Sequence, residues 1–205
     1  MKAIALTRAA EHLELAAAEI DRMSLEGGAK AYSQAWSTFL TQASRFYSKM
    51  EQGSKGCKTS EPWFGQKKHE RRTDPLLSYI HHARDCDEHG LDYVVAETGS
   101  QLSVQMAEGA TEIHASFEMM VDDQGKVHIR NPDSKTPQSV ATIELHDKRI
   151  ELVRVTDGRF KDSFDPPRMH LNRPIVDQSP QGVARLAIGY LKEMLEEASK
   201  LPRQA

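Results

Sequence analysis

The chain has 205 residues, of which 39% are hydrophobic and 28% charged, and its formal net charge is −3. This length allows one ordinary domain or two small ones with a real core, and the composition is that of a soluble globular protein. No stretch approaches the roughly 18 uninterrupted apolar residues of a membrane span, and the N-terminal segment is too charged for a secretion signal. We therefore expect a cytoplasmic protein, in which the slightly acidic balance restricts any polyanion site to a local patch.

Apolar residues recur at intervals of three and four through the first half of the chain, which predicts amphipathic helices. The first helix covers the N-terminal segment and ends at 26–28, where two glycines follow a glutamate. The second runs from about residue 30 to residue 52. Its apolar stripe is rich in aromatic residues, which predicts that it is the main core helix.

Two shorter helices are predicted after a loop that is rich in glycine. One begins at Ser60, with a proline in its first turn, and leads into the basic run Lys67 to Arg72. The next begins at Thr73 or Asp74, either of which can cap it, and ends near Gly90. Its apolar face consists of five residues that cluster on a helical wheel: Leu76, Leu77, Tyr79, Ile80 and Ala83.

The second half of the chain changes to a period of two, which predicts strands. Alternating segments and short turns between residues 93 and 165 predict an antiparallel meander, and a last amphipathic helix follows. This order of elements predicts an α+β fold, with an N-terminal helical bundle at 1–92 and a β region at 93–177. The C-terminal helix, within 178–205, is expected to pack back on the bundle or on the sheet.

The helix before Gly90 carries a polar face within the sequence "HHARDCDEH". His81, Asp85 and His89 recur every four residues and share one row on the exposed flank, while Arg84 lies at the edge of the apolar stripe. Acids in the last turns oppose the helix dipole, but charges on a solvated flank cost little. One interpretation of this face is therefore an ordinary exposed helix surface.

A metal site is a second interpretation, because histidine, cysteine and carboxylate side chains bind divalent ions. Its ligands would be His81, Asp85 and His89, or else His82, Cys86 and His89. Residues eight positions apart on one helix lie about 12 Å apart along its axis, since each residue rises about 1.5 Å. His81, Asp85 and His89 therefore cannot all bind one ion, and further ligands would have to come from elsewhere. We predict neither a metal nor another cofactor.

The spacing of Arg84 and His89 supports a third interpretation. An arginine, a polar residue directly after it and a histidine five positions on resemble the R-x4–6-H motif of the HEPN superfamily, whose RNA-cleaving members have Asn, His or Asp after the arginine. The context is also similar, because the motif lies in a later helix of an N-terminal helical segment. The resemblance covers about the first ninety residues and leaves out the β region.

The resemblance implies a metal-independent endoribonuclease that leaves a 2′,3′-cyclic phosphate. Histidine titrates near neutrality, so His89 suits the removal of the 2′-hydroxyl proton, and the guanidinium of Arg84 suits the charge that develops on the phosphate. Asp85 would orient one of the two, and His81 is an accessory candidate. Toxin or defence roles are common among such proteins, and they imply a protein partner or an antitoxin.

The geometry of one helix raises a difficulty for this motif, because residues five positions apart diverge by about 140° around the axis. Either His89 leaves helical geometry near Gly90, or a second copy of the chain supplies the missing residue across a two-fold interface. HEPN proteins typically dimerise with their motifs facing each other. We therefore predict an isologous homodimer.

The basic run that precedes this helix is a candidate for binding the RNA backbone, through Lys67, Lys68, Arg71 and Arg72. The alternative is a solvated helix face whose charges pair internally through Glu70. The absence of a strongly basic composition also favours a second function. In it, a non-catalytic HEPN-like protein binds a nucleotide or a protein partner through the β region.

Overall fold

A computed structural model describes most of the chain. It does not describe the side chains of residues 25, 89, 101, 102 and 144–146. The described residues are 1–89, 94–99, 101–108, 113, 117–123, 126–130, 140–146, 148–157 and 161–202. They form five α-helices and several antiparallel strand pairs, which confirms the predicted α+β class. None of the described helices is long and apolar enough to cross a membrane.

The chain divides into two compact units. The first, called here the helical unit, consists of Met1–Ala96 and Ile150–Ala205, and the second, called here the sheet unit, consists of Glu97–Arg149. These two units differ from the predicted division at 1–92, 93–177 and 178–205. Residues 150–177 group with the helices and not with the preceding strands.

Five helices build the helical unit, and they follow the predicted apolar periodicity closely. Helices α1 and α2 pack side by side and are joined through a 3-10 turn at Leu25–Gly27. The C-terminal helix packs against α1 and α4, as expected of a helix that returns to the bundle. The bounds are α1 Ala3–Arg22, α2 Gly28–Ser54, α3 Ser60–Thr73, α4 Pro75–His89 and α5 Pro180–Ser199.

Helix α2 supplies much of the core, because its aromatic stripe faces the other helices. Trp36, Phe39 and Phe46 are completely buried, and Trp36 stacks on Phe39 with ring centroids 5.3 Å apart. The predicted apolar face of α4 is also buried, with Leu76 and Ala83 at 0% exposure. Burial of this face fixes which side of α4 is left for the polar residues.

Helix α4 begins after Asp74, whose side chain caps it. Oδ1 of Asp74 accepts a hydrogen bond from the backbone N–H of Leu77 at 3.0 Å, which satisfies one of the free N–H groups of the first turn. The other oxygen, Oδ2, accepts from the backbone N–H of Leu171 at 2.7 Å. The same carboxylate therefore starts α4 and attaches a hairpin formed by β9, Met169–His170, and β10, Arg173–Pro174.

The chain forms two further pairs of short strands. The pair β7 and β8, Val155–Thr156 and Ser163–Phe164, is antiparallel and belongs to the helical unit. Strand β1, Val95–Thr98, pairs with β6, Arg149–Leu152, and these strands contain the points where the chain passes between units. Val95 and Leu152 are buried in the same apolar cluster as the helices.

The sheet unit contains four antiparallel strands in the order β2-β5-β4-β3. Consecutive strands β3, β4 and β5 are neighbours, as in a meander, whereas β2 pairs with β5 and not with β3. Met106 lies opposite Ala141 in the pair of β2 with β5. The bounds are β2 Gln101–Met106, β3 Glu118–Val121, β4 Val127–Arg130 and β5 Ala141–His146.

Candidate functional site

Three of the predicted functional side chains meet at one cleft among the helices. Arg71 of α3 lines it together with His81 and Arg84 of α4, while α2 and α5 contribute apolar side chains. The cavity volume is about 20 Å³, which leaves room for one or two water molecules. The cleft can therefore receive a small polar group, such as phosphate oxygens, but not a whole nucleotide.

Arg71 lines this cleft with its guanidinium over an aromatic ring of α2. The guanidinium carbon lies 4.6 Å from the centroid of the Tyr47 ring, within the range of a cation–π contact. Nε of Arg71 is buried and has no hydrogen-bond partner among the described residues. A buried guanidinium nitrogen without an acceptor favours an anion or a water molecule at this position.

Arg84 lies at the edge of the apolar stripe of α4, as predicted, and is about a quarter exposed. Its Nη1 is 2.9 Å from Oδ1 of Asp85, and its Nη2 forms an ion pair with Glu88 one helical turn on. Its Nε is buried and also lacks an acceptor in the described part of the chain. Two carboxylates therefore hold the guanidinium, while one of its donors remains available.

His81 adjoins both arginines, and its surroundings favour the neutral imidazole. Burial is the main cause that lowers the pKa of His81 to about 4, and the positive charges of Arg71 and Arg84 act in the same direction. Asp85 opposes them, with its Oδ2 at 3.9 Å from Nε2 of His81. At neutral pH the ring is therefore uncharged and can accept a hydrogen bond.

His82 faces a different environment from its neighbour in sequence. Its ring stacks on Phe164 of β8, with centroids 3.6 Å apart and planes at 8°. Burial is the main cause that lowers its pKa, although three aspartates, among them Asp157 and Asp162, oppose this. The stacked ring anchors the β7–β8 pair to α4, which is a structural role.

The four cations of the basic run point in different directions. Lys67 is buried, and its ammonium lies 2.9 Å from Glu197 of α5 and 3.3 Å from Glu70. Lys68 pairs with Glu51 of α2 at 3.0 Å, whereas Arg72 is exposed. Only Arg71 among them lines the cleft, and RNA binding by the run stays a prediction.

The side chain of His89 lies outside the described residues, but the helix that carries it extends through His89. The meeting of His89 with Arg84, within one chain or across a two-fold interface, stays a prediction. The alternative of a metal site can be compared with the structure only for the described residues. Within the described ranges, no three His, Cys, Asp or Glu side chains are grouped so that they could hold a metal ion.

No family model, curated protein or solved structure matches this chain. The resemblance to the HEPN superfamily therefore rests on the residues of α4 and their helical context alone. The chemistry of the cleft has to be argued from its own side chains.

Sequence reasoning treated Arg71 as one of four equivalent cations and Tyr47 as a core residue. It missed that the guanidinium of Arg71 lies over the Tyr47 ring, in the cleft that residues of the motif helix also line. The signal that could have indicated this is weak: Arg71 lies four residues beyond Lys67 on the buried side of α3, where an isolated cation needs a partner.

Proposed function

We propose that the helical unit is a metal-independent endoribonuclease of HEPN type that acts as a homodimer. The observation that supports it is the meeting of Arg84, the motif arginine, with Arg71 and His81 at one cleft. These residues come from two helices, and two of them offer buried donors without acceptors. A phosphate oxygen is the acceptor that two guanidinium groups would bind best.

The proposed reaction is an attack of the ribose 2′-oxygen on the adjacent phosphorus. The P–O5′ bond breaks, a 2′,3′-cyclic phosphate forms, the 2′-hydroxyl proton passes to a base and the 5′-oxygen receives a proton. We assign the base to His89, as the resemblance implies, with His81 in an accessory role as a neutral imidazole that accepts a hydrogen bond. Arg84 and Arg71 would stabilise the charge that develops on the phosphate oxygens.

The carboxylates around Arg84 favour a second candidate function. Asp85 and Glu88 already neutralise its guanidinium, so a phosphate would have to compete with both. The sheet unit, described by itself, also exposes apolar side chains on its edge strand β3, with Met119 at 64% and Val121 at 67%. A non-catalytic protein that binds a nucleotide or a protein partner is consistent with both observations.

The decisive experiment measures cleavage of a fluorescent RNA by the purified chain in the presence of a chelator. Arg84→Ala, Arg71→Ala and His89→Ala are the test variants, and Arg8→Ala, which removes an exposed arginine of α1, is the matched control. We expect cleavage by the wild type and the control. Losses of about 10²-fold or more are expected for Arg84→Ala and His89→Ala.

The product distinguishes the two candidate functions. A 2′,3′-cyclic phosphate end, together with a dimer by light scattering, is the expected result. RNA binding that depends on Arg71 but proceeds without cleavage would replace the nuclease by the binding protein. Cleavage that Arg84→Ala and His89→Ala leave intact would overturn the proposed site.

A further inference from the structure

A second concave site lies in the helical unit, between the β9–β10 hairpin and helix α5. This groove has a volume of about 540 Å³, within the range of small-molecule sites and far larger than the cleft at Arg84. Its floor is formed by Ile175, Gly189 and Tyr190, and the hairpin forms one wall through Leu171.

The hairpin wall has a backbone conformation that its sequence does not favour. Leu171 and Asn172, which connect β9 to β10, both have positive φ, at 46° and 61°. Asparagine tolerates this conformation, but an exposed leucine does not normally adopt it. Residues held in such a conformation concentrate at functional sites, and here Leu171 lines the groove.

A buried polar pair holds the strained turn in place. Nδ1 of His170 is 3.0 Å from Oδ1 of Asp74, and their side chains are only 11% and 6% exposed. The backbone N–H of Leu171 donates to the other oxygen of the same carboxylate. The position of Leu171 is therefore fixed by the start of α4, independently of any ligand.

The floor of the groove also contains a residue that is unfavourable for its local structure. Gly189 lies in the middle of α5, where glycine is among the least favourable residues. A Cβ atom at this position would meet nothing within 4 Å, so packing inside the protein does not require the glycine. A side chain there would instead project into open space beside the groove that the residue lines.

The charges along the groove indicate what it would bind. Arg173 of the hairpin and Arg185 of α5 both line it, and a single carboxylate, that of Glu193, lies among the groove residues of the described chain. Arg185 approaches Asp177 only to 4.0 Å, and its side chain is 57% exposed. Two arginines beside an apolar floor and wall match an anion with an apolar body.

We propose that the groove between the β9–β10 hairpin and α5 is a binding site for a small organic anion, a phosphate or a carboxylate on an apolar body. Arg173 and Arg185 bind the anionic group, and Leu171, Ile175 and Tyr190 contact the body. The site is separate from the cleft at Arg71 and Arg84, and it does not depend on RNA cleavage.

Ligand-observed NMR on the full chain tests this site, with phenyl phosphate and benzoate as the two organic anions. Inorganic phosphate tests the anionic group without an apolar body, and benzyl alcohol tests the apolar body without a charge. The variants are Gly189→Leu, which fills the groove, and Arg173→Gln, which removes one cation. Gly65→Leu is the matched control, because Gly65 is also an exposed helical glycine with nothing within 4 Å of a Cβ, but it lies on α3.

We expect at least one organic anion to bind the wild type and the control, with affinity lowered about tenfold or more in Gly189→Leu and Arg173→Gln. The comparison of phenyl phosphate with benzoate identifies the anionic group. Thermal unfolding verifies that each variant is folded. The proposal would be overturned if neither organic anion binds, or if inorganic phosphate is the only compound that binds. It would also be overturned if the control Gly65→Leu loses as much affinity as the two groove variants.

Discussion

His81 makes the stability of the protein depend on pH in a defined window. Burial, and then the charge of Arg71, lowers the pKa of His81 in the folded chain to about 4, against an ordinary value of 6.5. The unfolded chain therefore binds more protons between these values, and this residue's contribution to the free energy of unfolding decreases as the pH falls from about 6.5 to about 4. Above this window the contribution is complete.

We predict that His81→Gln makes the free energy of unfolding less dependent on pH between 7 and 4. Urea unfolding at several pH values measures this slope. The matched control is His69→Gln, which replaces an exposed histidine on the neighbouring helix α3 and gives the slope against which His81→Gln is compared. An unchanged slope in His81→Gln would mean that the imidazole is already protonated in the folded protein near pH 6.

Asp74 both caps α4 and holds the β9–β10 hairpin, so its removal should affect both contacts. We predict that Asp74→Ala lowers the free energy of unfolding by about 2–4 kcal/mol, because an N-cap contributes about 1 and an unsatisfied buried N–H costs about 1–3. Asp74→Asn keeps a capping oxygen and should cost less. Asp21→Ala, at an exposed position near the end of α1, is the control and should change stability little.

Helices α1 and α2 approach each other very closely at one glycine. A Cβ at Gly53 would lie 2.4 Å from Cβ of Ala5, closer than carbon atoms can approach. The backbone N–H of Lys2 also donates to the carbonyl of Gly53 at 3.1 Å, which holds the two segments together. A side chain at this position therefore forces the helices apart.

We predict that Gly53→Ala destabilises the protein by about 1–3 kcal/mol, although alanine is normally the better helix former. The opposite sign is expected for Gly65→Ala and Gly189→Ala, since both positions are open and alanine should stabilise them by about 0.5–1 kcal/mol. Chemical unfolding of the three variants measures the difference. Stabilisation by Gly53→Ala would contradict the close approach of α1 and α2.

The helices could be predicted from the sequence more completely than the sheet. Local signals place the start of α4, because Asp74 caps it and Pro75 is tolerated in the first turn. The order β2-β5-β4-β3 could not be predicted in this way, because alternation shows that a segment is a strand but not which strand it joins.

The same limit applies to the candidate site. The basic run and the motif helix were visible in the sequence, but the direction of each cation was not. Lys67 is bound by Glu197, which lies on the last helix, so its burial depends on a contact that is remote in the chain. Arg71 reaches the cleft because Tyr47 of α2 supports it. Such assignments need the packing of three helices, which periodicity alone does not supply.

The helical unit contains residues from both ends of the chain. Ile150 and Leu152 are buried in its core, and the hydroxyl of Tyr79 on α4 donates to the carbonyl of Val153 at 2.7 Å. The pairing of β1 with β6 brings the two ends of the intervening segment close together. A short linker can therefore replace Glu97–Arg149 without stretching the chain.

We predict that a variant with a Gly-Ser linker of about six residues in place of Glu97–Arg149 folds cooperatively and keeps its helical circular dichroism. Leu76→Ala, at a position with 0% exposure, should lower the free energy of unfolding by about 2–5 kcal/mol in the shortened and in the full chain alike. Equal losses would show that the helical core is the same in both, because distant sites are additive. Non-cooperative unfolding of the shortened chain would instead mean that the helices require the sheet unit for their stability.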